Sequence, residues 1–95
     1  MALKIIFMGT PEFAVPILDS INKSKHNILS VYTQPPKKRD RGLKLRISPI
    51  HEYSKATKLA VRHPDNLDSE EEIKKIIELN PDVVVVAAYG KILPS

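Results

Sequence analysis

The sequence predicts an α/β fold in which a parallel sheet carries helices on both faces. Strand-like apolar runs alternate with segments that carry helix-start signals, in the order β-α-β-loop-α-β-α-β. Two of the runs, residues 3–8 and 83–88, are apolar almost throughout, which is typical of strands covered on both faces. Strands that alternate with helices are usually joined by right-handed crossovers, so we expect a Rossmann-like architecture.

Four segments have the composition of strands. Residues 3–8 (LKIIFM) end at Gly9, and residues 27–33 (NILSVYT) are rich in β-branched and apolar side chains. Residues 59–62 are a weaker third candidate, and residues 83–88 (VVVVAA) are the most apolar stretch of the chain. We expect the last of these to be a central strand beside the first one, buried on both faces.

The first helix is expected to begin after Gly9. Thr10 is a candidate N-cap, Pro11 has the φ angle of a first helical position, and Glu12 complements the positive end of the helix dipole. Pro16 removes an intrahelical hydrogen bond, so we expect an irregular first turn. Apolar residues at helical spacing predict one buried stripe: Phe13, Ala14, Ile17, Leu18 and Ile21.

The other two helices are each expected to begin at a serine. Ser48-Pro49 has the cap-then-proline pattern and predicts a helix that runs to residue 57. Ser69 and Glu72 have capping-box spacing, and acidic residues crowd that helix start. The isoleucines predict the buried stripe of this helix: Ile73, Ile76 and Ile77.

Length and composition limit the classes of protein. The chain has 95 residues, below the ~100–150 typical of a domain, so we expect part of a larger domain. The absence of cysteine excludes thiolate catalysis, disulfides and cysteine zinc sites. No apolar run approaches the ~18 residues that a membrane span needs. The start of the sequence lacks a secretory signal pattern, so we expect a cytoplasmic location and no membrane partner.

Positive charge is concentrated in one segment. The net charge is +4, but residues 34–46 alone carry six cations against the single acid Asp40, a local balance of +5. Prolines 35 and 36 exclude a helix at its start, so we expect a loop. Such a cluster is typical of a surface that contacts phosphates. The cations are Lys37, Lys38, Arg39, Arg41, Lys44 and Arg46.

The carboxyl ends of the strands are the expected ligand edge, as in other parallel α/β sheets. The sequence argues against nicotinamide dinucleotide binding there, because only Gly9 of the glycine-rich fingerprint is present and no acid follows the second strand. His26, His51 and His63 have no partner acid or second histidine at ligand spacing. We therefore expect structural roles for the histidines, and no metal site.

Three blocks of sequence resemble the methionyl-tRNA formyltransferase family. Residues 7–16 (FMGTPEFAVP) are similar to its opening FxGTPxFAxxxL. Residues 32–35 (YTQP) and 41–45 (RGLKL), followed by Ser48-Pro49, are similar to its loop TQP-(basic)-RGxKL. Residues 85–94 (VVAAYGKILP) are similar to its VVxAYGxILP. Because the blocks keep the family's order and spacing, the chain is identified as a member, covering the N-terminal part of the formyltransferase domain.

The resemblance implies an enzyme of translation initiation. Members of the family transfer the formyl group of 10-formyltetrahydrofolate to the amino group of methionine on initiator tRNA, through attack of that amine on the formyl carbon. The basic loop, with Arg41 at its centre, would then contact the tRNA acceptor end. Thr10 and Phe13 would border the channel for the aminoacyl end. The folate pocket would include, chiefly through main-chain groups, Tyr89, Gly90, Lys91, Ile92 and Leu93.

The family's catalytic residues are expected to lie outside this sequence. The asparagine-histidine pair, in a segment like NxHxSLLP, and a later aspartate have no counterpart up to Ser95. No catalytic residue is therefore assigned within the chain. The C-terminal domain that helps to hold tRNA is also expected to be missing, so we expect the 95-residue chain to be inactive by itself.

Two other functions stay open at this stage. A different 10-formyltetrahydrofolate enzyme, acting on a purine intermediate or an amino sugar, would use the same scaffold. The basic loop argues against it, because a small substrate does not need a six-cation arm. A noncatalytic RNA-binding or structural module is an alternative of a different class.

Overall fold

A computed structural model of the chain describes residues 2–39, 44–64 and 69–89. The strands are β1 (Lys4–Gly9), β2 (Asn27–Tyr32), β3 (Lys37–Arg39), β4 (Lys44–Arg46), β5 (Val61–Arg62) and β6 (Val83–Ala87). The helices are α1 (Val15–Asn22), α2 (Pro49–Ala56) and α3 (Glu70–Leu79), and a 3-10 helix (Glu12–Ala14) precedes α1.

The main sheet has four parallel strands in the order β5-β2-β1-β6. Met8 lies opposite Tyr32 on one side and Val86 on the other, so these three strands end at nearly the same level. The predicted parallel sheet is confirmed, as is the position of the last strand beside the first. The carboxyl ends consequently form one edge of the molecule.

Helices cover both faces of the sheet, as predicted. On one face, Phe7 and Val31 of the strands pack with Ala14, Leu18 of α1 and Ile50 of α2. On the opposite face, a second cluster contains Ile6, Met8, Tyr32 and Tyr89, and Ile76 of α3 packs against it. The sheet therefore separates two small apolar layers, with α1 and α2 on one side and α3 on the other.

The two serine caps are confirmed, and the threonine cap is wrong. Ser48 Oγ accepts a hydrogen bond from the His51 amide at 3.0 Å, and Ser69 Oγ accepts one from the Glu72 amide at 3.3 Å. The first helix begins instead with the 3-10 turn, in which no side chain caps the amides. Pro16 lies in the first turn of α1, so the expected irregular start is confirmed. The Thr10 hydroxyl donates instead to the main-chain oxygen of Tyr89.

The predicted apolar stripes are only partly buried. In the first stripe Ala14 and Leu18 are buried, but Phe13 is 66% exposed. In α3, Ile73 and Ile77 are exposed, and the buried residue is Glu72. The apolar periodicity predicted the helices correctly. It could not show that only part of each apolar stripe would be covered by the sheet.

Two further expectations about strands are wrong. β6 is not buried on both faces: Val83, Val84 and Val86 are exposed, and β6 lies at the edge of the sheet that the structure describes, with β1 as its neighbour. The basic segment is not simply a loop, since β3 and β4 pair as an antiparallel ribbon. The strands of this ribbon consist mainly of cationic residues, and Lys37 pairs with Arg46. They therefore lack the alternation of apolar and polar residues by which a strand is recognised in a sequence.

Candidate functional site

A network of polar groups occupies the carboxyl edge of the sheet. Thr10 follows β1, Thr33 and Gln34 follow β2, Ser48 caps α2, and Tyr89 lies just beyond β6. Apart from Thr10, which is half-buried, these residues are buried. Buried polar groups of this kind are costly unless they are hydrogen-bonded, so their mutual contacts determine how the edge is arranged.

The main-chain oxygen of Tyr89 is the centre of this network. It accepts a hydrogen bond from Thr10 Oγ1 at 2.6 Å and a second from Gln34 Nε2 at 3.2 Å. The Gln34 amide in turn donates to Thr10 Oγ1 at 3.3 Å. Thr10, which follows β1, therefore accepts a hydrogen bond from the end of β2 and donates one to the residue beyond β6. These bonds connect the ends of the three strands.

The Tyr89 side chain makes a second connection to β2. Its hydroxyl donates to the main-chain oxygen of Thr33 at 3.4 Å. Burial raises the pKa of Tyr89, and the Glu72 carboxylate adds to that effect, so the phenol stays protonated and able to donate. Thr33 Oγ1 also lies 2.6 Å from Ser48 Oγ, which links the edge to the start of α2.

The backbone is tightly packed where β1 leaves the sheet. A Cβ atom on Gly9 would lie 2.8 Å from Phe7 Cε2 and 3.0 Å from the main-chain oxygen of Ala87. The position therefore requires glycine. On the neighbouring strand, Ala88 has a φ of 57°, in the left-handed region that residues with a Cβ rarely adopt. The chain turns sharply at this residue before it reaches Tyr89.

An ion pair lies on the α3 side of the edge. Arg62 Nη2 is 2.7 Å from Glu72 Oε1, and the Tyr32 hydroxyl donates to Glu72 Oε2 at 3.1 Å. The hydrogen bonds from Arg62 lower the pKa of Glu72. Burial, followed by the contact with Glu72, raises the pKa of Tyr32 to about 12. The group is therefore a carboxylate with fixed donors, which suits a structural clamp rather than a proton donor.

Two histidines come together beside the start of α2, although their sequence spacing gave no signal of it. The ring centroids of His51 and His63 are 5.2 Å apart. His51 is buried, and its Nδ1 atom has no hydrogen-bond partner in the described structure. Burial lowers the pKa of His51, with the neighbouring His63 as the next cause. His26 has a structural role, since its Nδ1 accepts a hydrogen bond from the Leu3 amide at 2.9 Å.

The structure brings together only some of the predicted site residues. Thr10 and Tyr89 are in direct contact, whereas Phe13 is exposed and lies outside the network. Arg41 of the predicted tRNA-binding set lies outside the described residues, as do four residues of the predicted folate pocket: Gly90, Lys91, Ile92 and Leu93. The sequence analysis assigned no role to Thr33 or Gln34, although both lie directly after a strand and within the block YTQP that resembles the family.

The basic ribbon is placed through its backbone register. Lys37 pairs with Arg46, Lys38 with Leu45 and Arg39 with Lys44. Alternate positions of a strand share a face, so the first and third pairs belong to the same face of the ribbon. The register therefore places two cationic residues opposite each other in two of the three pairs.

The described residues show neither a metal-binding cluster nor a membrane-spanning helix. Residues 2–39, 44–64 and 69–89 contain no group of three or more His, Cys, Asp or Glu side chains arranged to hold a metal ion. Within the same residues, every helix is too short or too polar to span a membrane.

A four-stranded parallel sheet with helices on both faces defines an α/β protein of the Rossmann-like class. Comparison with known proteins assigns it further. The family model described as formyl transferase matches residues 3–95, and the chain belongs to this family.

Several relatives carry the name methionyl-tRNA formyltransferase. The protein of Orientia tsutsugamushi is 49% identical over 93 residues, which cover 98% of this chain and 30% of that protein. The protein of Jannaschia sp. is 47% identical over 93 residues, covering 98% of this chain and 31% of that protein. The protein of Coxiella burnetii is 47% identical over 95 residues, covering 100% of this chain and 30% of that protein. The chain thus spans about a third of the length of these relatives, at their N-terminal part.

Proposed function

We propose that the chain is the N-terminal part of the formyltransferase domain of a methionyl-tRNA formyltransferase. Its whole protein would transfer the formyl group of 10-formyltetrahydrofolate to the amino group of methionine on initiator tRNA, in the cytoplasm. The observation that carries this proposal is the 47–49% identity to enzymes of that name across essentially the whole chain.

The basic ribbon supports a nucleic acid as the acceptor. Residues 37–39 and 44–46 supply five of the six cations of this segment, and the register places like charges opposite each other. Phosphates of the tRNA acceptor end would relieve that repulsion and release counterions. A purine intermediate or an amino sugar would not require such a surface, so the ribbon favours tRNA over a small acceptor.

The network around Tyr89 supports a folate site next to it. In the proposal, residues 89–93 line the folate pocket, and Thr10 and Phe13 border the channel for the aminoacyl end. Phe13 is 66% exposed, so it is available to contact an aminoacyl group. Tyr89 begins the proposed pocket segment, and it is held from β1 and β2 by the contacts with Thr10 and Gln34.

In the chemical step the methionyl amine attacks the formyl carbon, the bond between that carbon and N10 of the folate breaks, and tetrahydrofolate leaves after N10 takes up a proton. This step needs a group that stabilises the tetrahedral oxyanion and one that removes a proton. No residue of the described edge is assigned either role: Glu72 is held by Arg62 and Tyr32, and the Thr10 hydroxyl donates to Tyr89. We therefore propose that the relatives' later residues supply this chemistry, and that the 95-residue chain alone transfers no formyl group.

A chimera tests the proposal. These 95 residues would replace the corresponding residues of the Coxiella burnetii enzyme, with which they share 47% identity. Formylation of methionyl initiator tRNA should stay within about tenfold of the parent enzyme, and a chimera with Gly9→Val should lose it because the added side chain meets Ala87. Formyl transfer to a small amine but not to tRNA would contradict the proposal, as would activity of the isolated chain.

A further inference from the structure

The main-chain oxygen of Tyr89, just beyond the end of β6, accepts hydrogen bonds from two side chains. Two side-chain donors from different strands, Thr10 and Gln34, converge on its main-chain oxygen at 2.6 and 3.2 Å. Most hydrogen bonds of main-chain oxygens at strand ends are made to backbone or water. Here the sequence places two donors, one after β1 and one after β2, at a single point beyond β6.

The residue before Tyr89 explains why such restraint is needed. Ala88 has a φ of 57°, and a residue with a Cβ pays an energetic penalty for this left-handed conformation. Strained backbone of this kind persists only where the surrounding contacts over-determine it, and it is frequent at ligand sites. The bonds from Thr10 and Gln34 act on the peptide group directly after the turn, so they oppose its relaxation into an extended strand.

We propose that Thr10 and Gln34 are positioning residues that fix the turn at Ala88–Tyr89, where the proposed folate pocket begins. The inference rests on the proposed function for the pocket itself, but not for the turn. It gives Thr10 a role different from bordering the aminoacyl channel, since its hydroxyl donates to Tyr89 and accepts from the Gln34 amide. It also gives a role to Gln34, which is buried at 5% exposure and contacts the pocket segment through Nε2.

The variants are chosen to remove one donor at a time. Thr10→Val preserves the shape of the side chain without its hydroxyl, and Gln34→Met preserves its approximate length without the amide. Thr10→Ser retains the hydroxyl and serves as the rescue variant. Ser54→Ala is the matched control, because Ser54 is a fully buried residue whose hydroxyl donates only within α2, to Ile50 O at 2.8 Å.

Two measurements on the chimera with the Coxiella burnetii enzyme test the inference. Hydrogen exchange of the peptide that contains Tyr89, followed by mass spectrometry, reports the turn directly, and titration with tetrahydrofolate reports the pocket. Thr10→Val and Gln34→Met should each accelerate exchange and weaken tetrahydrofolate binding by about three- to tenfold, the effect of one lost hydrogen bond. Thr10→Ser should restore both, and Ser54→Ala should change neither.

The outcomes separate the inference from the proposed function. If the chimera without these substitutions shows no tetrahydrofolate binding, the folate site as proposed for these residues fails, and the exchange rates still decide whether Thr10 and Gln34 hold the turn. If the chimera binds tetrahydrofolate but both donor variants behave like Ser54→Ala in exchange and in binding, the positioning role is overturned. Acceleration by Thr10→Ser equal to that by Thr10→Val would overturn it as well, since the retained hydroxyl would then have no effect.

Discussion

The guanidinium of Arg62 and the carboxylate of Glu72 form a two-pronged ion pair, with Nη2 2.7 Å from Oε1 and Nε 3.1 Å from Oε2. The pair joins the end of β5 to the first turn of α3, and the Tyr32 hydroxyl donates to the same carboxylate from β2. Glu72 is nearly buried, whereas a third of the Arg62 side chain is exposed. The Glu72 side chain therefore connects α3 to β2 and β5.

Removing this carboxylate should destabilise the chain clearly. We expect Glu72→Ala to lower the free energy of unfolding by about 1–3 kcal/mol, because Tyr32 and Arg62 both lose their acceptor while Arg62 can recover part of its hydration. The matched control is Glu71→Ala in the same turn, whose 3.5 Å contact with Lys75 is exposed. That variant should cost less than about 0.5 kcal/mol. Equal losses in urea unfolding would show that the ion pair is not what anchors α3.

The same residue shows how far the sequence could predict the structure. The capping-box spacing of Ser69 and Glu72 predicted the start of α3, and the Glu72 amide does bond to Ser69. The carboxylate, however, contacts Arg62 and Tyr32 instead of serving only as a helix-start acid. Local spacing determines the cap, whereas the partners come from strands 10 and 40 residues away in sequence.

Parallel strands were predictable for a related reason. Runs such as residues 83–88 are long, apolar and bounded by turn residues, so their type follows from composition. The short ribbon of β3 and β4 was not predictable in this way, because its strands of three residues pair mainly charged side chains. The Thr10–Tyr89 contact was missed because it joins residues 79 apart, which no periodicity encodes.

Stability should depend on pH through His51. Burial lowers the pKa of His51 below its ordinary value of 6.5, so the unfolded chain binds a proton more readily than the folded one. The stabilising contribution is therefore complete above about pH 6.5 and is lost as the pH falls through the lower folded pKa. The unfolding midpoint in urea should drop between pH 7.5 and pH 5.5, and His51→Leu should remove most of this dependence.

Two comparisons make the histidine assignment specific. His63→Gln should retain most of the pH dependence, because burial is the larger cause of the shift and His63 is the second. The pKa values of Asp19 and Glu72 are lowered from 3.8 and 4.5, so their contributions are lost only at lower pH than this window. A flat profile in the unmodified chain between pH 7.5 and 5.5 would refute the role of His51.

RNA binding should be sensitive to salt and centred on residues 34–46, which include the basic ribbon. If about three to five of the six cations of this segment contact phosphates, log K should fall with log salt at a slope of roughly −3 to −5. Replacing Arg41, Lys44 and Arg46 with alanine should flatten the slope, measured with an acceptor-stem RNA by fluorescence anisotropy. The control replaces three exposed lysines elsewhere, Lys25, Lys58 and Lys74, and so changes the net charge equally. Similar slopes for the two triple variants would indicate general charge attraction instead of a ribbon site.

The outer side of β6 combines two features that favour association. β1 is the only neighbour of β6 among the described strands, so the other side of β6 has no strand partner in that part of the chain. Val84 and Val86 are 41% and 49% exposed on one face, and Ile73 and Ile77 of α3 are exposed too. An apolar edge without charge or proline is a configuration that natural sheets usually avoid, since its free amide and carbonyl groups can pair with another chain.

We therefore expect the 95-residue chain to form dimers or larger species through β6 at micromolar concentration. Val84→Lys or Val86→Lys should shift sedimentation-velocity profiles toward monomer, because a lysine on an edge strand opposes pairing with a second copy. The matched control is Ile17→Lys in α1, since Ile17 is 42% exposed and the substitution adds the same charge on the opposite face of the sheet. That control should leave association unchanged, and the β6 variants should remain folded by circular dichroism. A monomeric parent chain at high micromolar concentration would contradict the prediction, and an equal effect of Ile17→Lys would attribute association to net charge rather than to strand pairing.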